Sequence, residues 1–328
     1  MSGPPMRAPR RQFARLPAPL CRSRLILRKE PGGVAGHNGA ITARTKGHRM
    51  DWKTILTIAA TPEQLARQID GAIALARRED AHLDVFCIGV DHAQTGYYYA
   101  GASAYVFQEA IDRALATAEE TAQAARARLE AEDIRWGVDT AVAQLGGLSA
   151  LAGLRARYAD LVLLSRPYGP DRGPDGEAVL ESALFEGRAP VMVLPDAGLP
   201  AQIGRRVVVA WNQSHEAMAA VHRALPVLKT ADLVDITVID PPPHGPERSD
   251  PGGALSQFLA RHGCSVQVSV LAKTQTRVSD VLRRHVNDTA SDLIVMGAYG
   301  KSRFREAILG GATRHMLEGV DVPVLMAH

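Results

Sequence analysis

The chain has 328 residues, 46% of them hydrophobic and 22% charged, a balance that suits two packed domains and excludes a disordered, collagen-like or coiled-coil protein. No uninterrupted apolar run reaches the roughly 18 residues of a membrane span, and Cys21, Cys87 and Cys264 form no C-x-x-C pair, so neither a membrane protein nor a disulfide or cysteine–zinc scaffold is expected. The formal charge of +3 is uneven: residues 1–49 hold eleven Lys and Arg against the single acid Glu30, which leaves 27 bases and 34 acids in residues 50–328 and speaks against a body built to grip nucleic acid.

Residues 1–49 lack apolar periodicity and read as a disordered basic extension. A transit peptide or a nucleic-acid arm would share this composition, but Met50 directly precedes the strand-like Trp52–Ala59 segment and is expected to be the functional start. From there, short β-branched runs alternate with longer amphipathic ones, the pattern of βαβ units. Strands are expected at 53–59, 83–90, 136–143, 160–165 and 190–194, with helices at 63–78, 105–131, 147–158 and 176–186. After the linker around Asp196-Ala-Gly-Leu-Pro200 the order recurs: strands at 206–211, 233–239, 265–272, 292–296 and 322–326, helices at 214–229, 252–262, 277–289 and 310–319.

The recurrence is also visible in residues. Ala159-Asp-Leu-Val-Leu-Leu-Ser165 matches Ser291-Asp-Leu-Ile-Val-Met-Gly297, and Ala189-Pro-Val-Met-Val-Leu194 matches Val322-Pro-Val-Leu-Met326. A tandem duplication explains this better than one long sheet. The expected fold is α/β, two tandem Rossmann-like domains, each a five-stranded parallel sheet flanked by four helices. The boundaries are 1–49 for the extension, 50–196 for the first domain, 197–204 for the linker and 205–328 for the second domain. An insertion in the first copy, around Tyr97-Tyr98-Tyr99, accounts for its greater length. The last strands of both copies end in edges that invite pairing, so an intramolecular pseudo-dimer is expected, with homodimerisation of the whole chain left open.

In an open parallel sheet, ligands bind beyond the carboxyl ends of the strands where the winding reverses. At such a point lies Gly297-Ala-Tyr-Gly300-Lys-Ser-Arg-Phe-Arg-Glu-Ala-Ile-Leu-Gly310-Gly311-Ala-Thr313. Its glycines let backbone amides approach an anion, Gly310 to Thr313 open a helix whose free N–H groups favour phosphate, and Thr313 adds a hydroxyl. A single glycine here reads as readily as a turn device; the ordered set points to phosphate. Gly300-Lys-Ser302 is no P-loop, because the required first glycine falls at Val295 inside the strand, and neither first-strand turn holds G-x-G-x-x-G. The histidines, among them His215, His222, His262, His285 and His315, are spread over different elements and read as solvated or locally bonded rather than as a metal site.

The spacing Gly297-x2-Gly300-x9-Gly310 resembles the nucleotide-binding motif of the universal stress protein family, and the whole of residues 50–328 resembles two copies of that family's domain. The resemblance implies a sheet order of 3-2-1-4-5 in each copy. It implies that Asn212 and Ser214 face Gly297 across the crevice, that Val238 offers backbone groups to adenine, and that Met296 and Gly297 line base and ribose. Gly300, Gly310, Gly311 and Ala312 would present amides to the phosphates of ATP, with magnesium as a candidate companion ion. Asn212 replaces the family's acid and Gly311 its hydroxyl residue, which weakens metal dependence. In the first copy, Ser165-Arg-Pro-Tyr-Gly169-Pro-Asp-Arg-Gly-Pro-Asp-Gly176 has prolines where amides are needed, which implies a packing or regulatory role. The function expected is that of a cytoplasmic stress-response protein and nucleotide-binding switch rather than an enzyme, with no nucleic-acid or membrane partner. The alternative is a protein that binds no nucleotide and works through its paired domains.

Overall fold

A computed structural model describes residues 50–92, 104–169, 171–241, 249–299 and 311–328. The first half runs β1 (Thr54–Ala59), α1 (Pro62–Ala66), α2 (Ile69–Glu79), β2 (His82–Asp91), α3 (Ala104–Leu129), β3 (Arg135–Gln144), α4 (Leu148–Ala156), β4 (Leu161–Ser165), α5 (Pro174–Phe185) and β5 (Val191–Leu194). The second half runs β6 (Arg206–Ala210), α6 (His215–Leu228), β7 (Leu233–Ile239), α7 (Gly253–Arg261), β8 (Val266–Leu271), α8 (Val278–Asp288), β9 (Leu293–Gly297), α9 (Ala312–Gly319) and β10 (Val324–Ala327). The expected insertion shows in the helix after the second strand, which has 26 residues in α3 and 9 in α7. Tyr97 to Tyr99 lie outside the described residues.

The strands form one sheet of order β3-β2-β1-β4-β5-β10-β9-β6-β7-β8. Each half therefore has the order 3-2-1-4-5, and within each half every pairing is parallel. The two do not remain separate sheets, because β5 and β10 pair antiparallel with Val193 opposite Val324 and Met192 opposite Leu325. Successive side chains of a strand point to opposite faces, so Leu161 and Leu163 enter one apolar layer while Val162 and Leu164 enter the other. One layer packs the sheet against α2, α3, α6 and α7, the other against α4, α5, α8 and α9, and both layers continue across the β5–β10 seam.

The helix expected over 63–78 is broken at Arg67-Gln68. Thr61 caps α1, its hydroxyl accepting from the Gln64 N–H at 3.2 Å, but the fully buried Gln68 turns its amide inward. Gln68 Nε2 donates to Thr57 Oγ1 and to the Ile58 carbonyl, each at 2.8 Å, and Gln68 Oε1 accepts from the Ser165 N–H at 2.8 Å. A buried amide needs such partners, and meeting them across β1 and β4 takes precedence over helix continuity. Among the described residues no helix is long and apolar enough to cross a membrane.

Candidate functional site

The crevice of the second half opens where β6 and β9, paired from Val207–Leu293 to Ala210–Met296, reach their carboxyl ends. Asn212 is exposed just past β6, and its Oδ1 accepts from the Ser214 N–H at 3.1 Å, closing a tight turn through Gln213 at φ 62°. Ser214 then caps α6, its Oγ accepting from the Ala217 N–H at 3.1 Å. Gly297 meets this same first turn: a Cβ built on it would stand 2.5 Å from the Ala217 nitrogen and 2.6 Å from the Glu216 carbonyl carbon. A glycine at the end of β9 is thus what lets strand and helix backbones come together.

Val238 lies in β7 one position beyond Thr237, the residue that pairs with Ala210 at the end of the β6–β7 ladder. Its side chain is buried in the layer that holds α6 and α7, whereas Met296 is buried in the opposite layer. Beyond β9, the Ala298 N–H donates to the Ala327 carbonyl at 2.9 Å, and His328 Nδ1 donates to the Ala298 carbonyl at 2.9 Å. Tyr299 takes a left-handed φ of 54°, and its N–H donates to Thr313 Oγ1 at 3.3 Å. Thr313 is buried, so its hydroxyl ties α9 to the β9 loop. Gly311 is the N-cap of α9 at φ −58° and supplies no side-chain cap, which leaves first-turn amides such as those of Ala312 and Thr313 without that partner. Gly300 and Gly310 lie outside the described residues.

The structure therefore gathers Asn212, Ser214 and Gly297 about the start of α6, and joins Thr313 to the loop that leaves β9. Sequence reasoning missed Tyr299, whose hydroxyl is 3.1 Å from that of Tyr168 in the first half. Tyr168 also donates to Glu177 Oε1 at 3.1 Å, lies under the Arg314 guanidinium at 4.9 Å, and has its phenol pKa raised by burial first and then by Tyr299. No pattern in the sequence marks this contact, because the partners are 131 positions apart. His285, read as locally bonded, lies with Nε2 2.8 Å from Asp235 Oδ2. Among the described residues no group of three or more His, Cys, Asp or Glu could hold a metal ion.

Residues 204–328 match the family described as the universal stress protein family. A curated universal stress protein of Synechocystis sp. is 32% identical over 73 residues, which cover 22% of this chain and 24% of that protein. The match thus spans about a quarter of the length of that relative. The structure of a universal stress protein from Archaeoglobus fulgidus superposes with a TM-score of 0.62 at 15% identity, covering 85% of this chain and 97% of the other. A Pseudomonas aeruginosa protein assigned to the same family gives a TM-score of 0.51 at 16% identity, over 85% and 94% of the two chains. At such identities these structures speak for the fold alone. Residues 204–328 thus carry the match to the universal stress protein family, and the first half repeats their strand order.

Proposed function

We propose that the chain is a stress-response protein whose second domain binds an adenine nucleotide, ATP in the first instance, and acts as a binding protein or switch. The observation that carries this reading is the position of the Gly297-x2-Gly300-x9-Gly310 spacing. It begins at the carboxyl end of β9, beside β6, where a doubly wound sheet takes its ligand. The loop after β9 and the opening of α9 would bring amides to the phosphates, Val238 would offer its backbone to the base, and Asn212 and Ser214 would border the nucleotide. The residues present fit the phosphates better than a bound magnesium, since Asn212 brings no charge. The proposal is one of binding, and rapid turnover is not part of it.

Calorimetric titration of the full chain with ATP and magnesium tests it. Gly300→Val and Gly310→Val are expected to abolish binding, and Gly169→Val in the first domain to leave it unchanged. Asn212→Asp and Gly311→Ser are expected to tighten it by about 1 kcal/mol per recovered hydrogen bond. The backbone of Gly311 already suits serine, so a gain there would not be offset by strain. Absence of binding by the wild type and by both restored variants would favour the second reading, a protein that works through its paired domains. The antiparallel β5–β10 junction is what supports that second reading.

A further inference from the structure

The residues on either side of the Gly300–Gly310 stretch both touch the first domain. Tyr299, immediately before Gly300, takes a left-handed φ of 54°, a conformation that a bulky side chain keeps only where its surroundings fix it. Part of that surrounding is first-domain. The Tyr299 ring lies against Phe185 of α5 with centroids 5.3 Å apart, and its hydroxyl meets that of Tyr168 at 3.1 Å. Phe185 in turn packs edge-on against the His328 ring at 4.6 Å, and His328 donates to the carbonyl of Ala298, the residue before Tyr299.

The direction of the hydroxyl pair follows from counting protons, since a phenol has one O–H. Tyr168 gives its own to Glu177 Oε1 at 3.1 Å, so Tyr299 is the donor to Tyr168. The relay thus runs from the second domain through a tyrosine only 5% exposed to an acid of α5. On the other side of the glycine stretch, Arg314 of α9 lies over the Tyr168 ring at 4.9 Å, next to Thr313, whose hydroxyl accepts from the Tyr299 N–H. One first-domain ring therefore contacts both flanks. Arg166, two positions before Tyr168, adds a further grip. Asp196 holds it together with Arg172, and its Nη1 donates to the Glu318 carbonyl of α9 at 3.0 Å.

We propose that Tyr168 is a positioning residue for the second domain's nucleotide site, holding Tyr299 and Arg314 so that the first domain sets how tightly the second binds ATP. This rests on the reading of that site as a nucleotide site. A loop flank already ordered before binding costs less to order on binding, so the contact contributes to affinity without touching the ligand. It gives the first domain, whose own loop carries Pro167, Pro170 and Pro174, a part in binding that needs no phosphate of its own.

The test is calorimetric titration of the full chain with ATP and magnesium, joined to amide hydrogen exchange of the ligand-free protein. Tyr168→Phe keeps the ring beneath Arg314 and removes only the hydroxyl. It is expected to weaken ATP binding by about three- to tenfold, the worth of one hydrogen bond, and to speed exchange at the Tyr299 amide. Tyr299→Phe removes the other hydroxyl of the same contact and should weaken binding equally, with the double variant no worse than either single one. Tyr168→Leu, which also removes the ring, should weaken it further. The proposal is overturned if Tyr168→Phe and Tyr299→Phe bind ATP as the wild type does, even with a lowered melting temperature, if their losses add in the double variant, or if exchange at Tyr299 is unchanged. Failure of the wild type itself to bind ATP is a different result: it overturns the reading of the site, and this inference with it.

Discussion

Asp160 and Asp292 hold equivalent places in the two halves, each just before a strand beside the first strand of its domain. Asp160 Oδ2 accepts from the N–H groups of Lys53 at 2.8 Å and Thr54 at 2.9 Å. Asp292 accepts from Gly204 at 2.9 Å, Arg205 at 3.0 Å and Arg206 at 3.2 Å. In the sequence this aspartate is legible only as part of the recurring Asp-Leu pattern; its work as a clamp on the incoming chain depends on a contact across 86 positions or more. Hydrogen bonds to a charged acceptor contribute about 1.5–3 kcal/mol, so Asp292→Ala should lower unfolding free energy by about that much, read as a shift of the urea midpoint at constant m. An unchanged midpoint would show that water serves these amides equally well. Gly297→Ala belongs at the same scale. Its Cβ would meet helix backbone that cannot swing aside, and it is expected to cost about 1–3 kcal/mol in the absence of any nucleotide. Gly300 and Gly310 are therefore better probes of binding than Gly297.

Elements were legible where an apolar period persisted. Every expected strand is present, with ends shifted by at most two residues, because a parallel strand covered on both faces reads as an unbroken apolar run such as Val207-Val-Val209. The single helix expected over 63–78 failed for a reason that periodicity cannot carry: Gln68 falls on the buried stripe and there serves as a hydrogen-bonding hub between β1 and β4. Gln68→Leu should leave the Ser165 N–H and the Ile58 carbonyl without this partner and cost about 2 kcal/mol or more in chemical denaturation. A cost below about 0.5 kcal/mol would mean that the two groups find other partners and that the break in the helix has another cause.

At the scale of the whole molecule, the two halves share more than a boundary. The antiparallel pairing of β5 with β10 makes one ten-stranded sheet, and Met192, Leu194 and Leu325 stand in the same apolar layer as Val207 and Leu293. Separately produced halves would each expose a strand edge and an apolar margin. They are expected to melt below the intact chain and to associate on mixing, as followed by calorimetry and size-exclusion chromatography. The other end of the described chain is anchored by Met50, whose N–H donates to Oε2 of the buried Glu79 at 2.5 Å, while the Met50 and Trp52 side chains are 2% and 4% exposed. A chain started at Met50 should therefore melt with the full-length protein, whereas one started at Lys53 should lose about 3 kcal/mol or more.

By itself the sequence displayed the βαβ order, its recurrence in the second half and the Gly297-x2-Gly300-x9-Gly310 spacing, since each depends on residues that are neighbours in the chain or on a pattern of elements that recurs along it. The resemblance added the sheet order of each half. Only the tertiary structure decided that Gly297 is pressed against α6, that Tyr299 reaches Tyr168, and that Arg166 and Arg172 share one aspartate. It decided, too, that the last-strand edges, which the sequence already marked as inviting pairing, join antiparallel so that β5 and β10 close two sheets into one. Those contacts join residues that are far apart in the chain or belong to different elements. Their partners are chosen by packing geometry and by the need to pair buried polar groups, neither of which leaves a local period for a sequence to display.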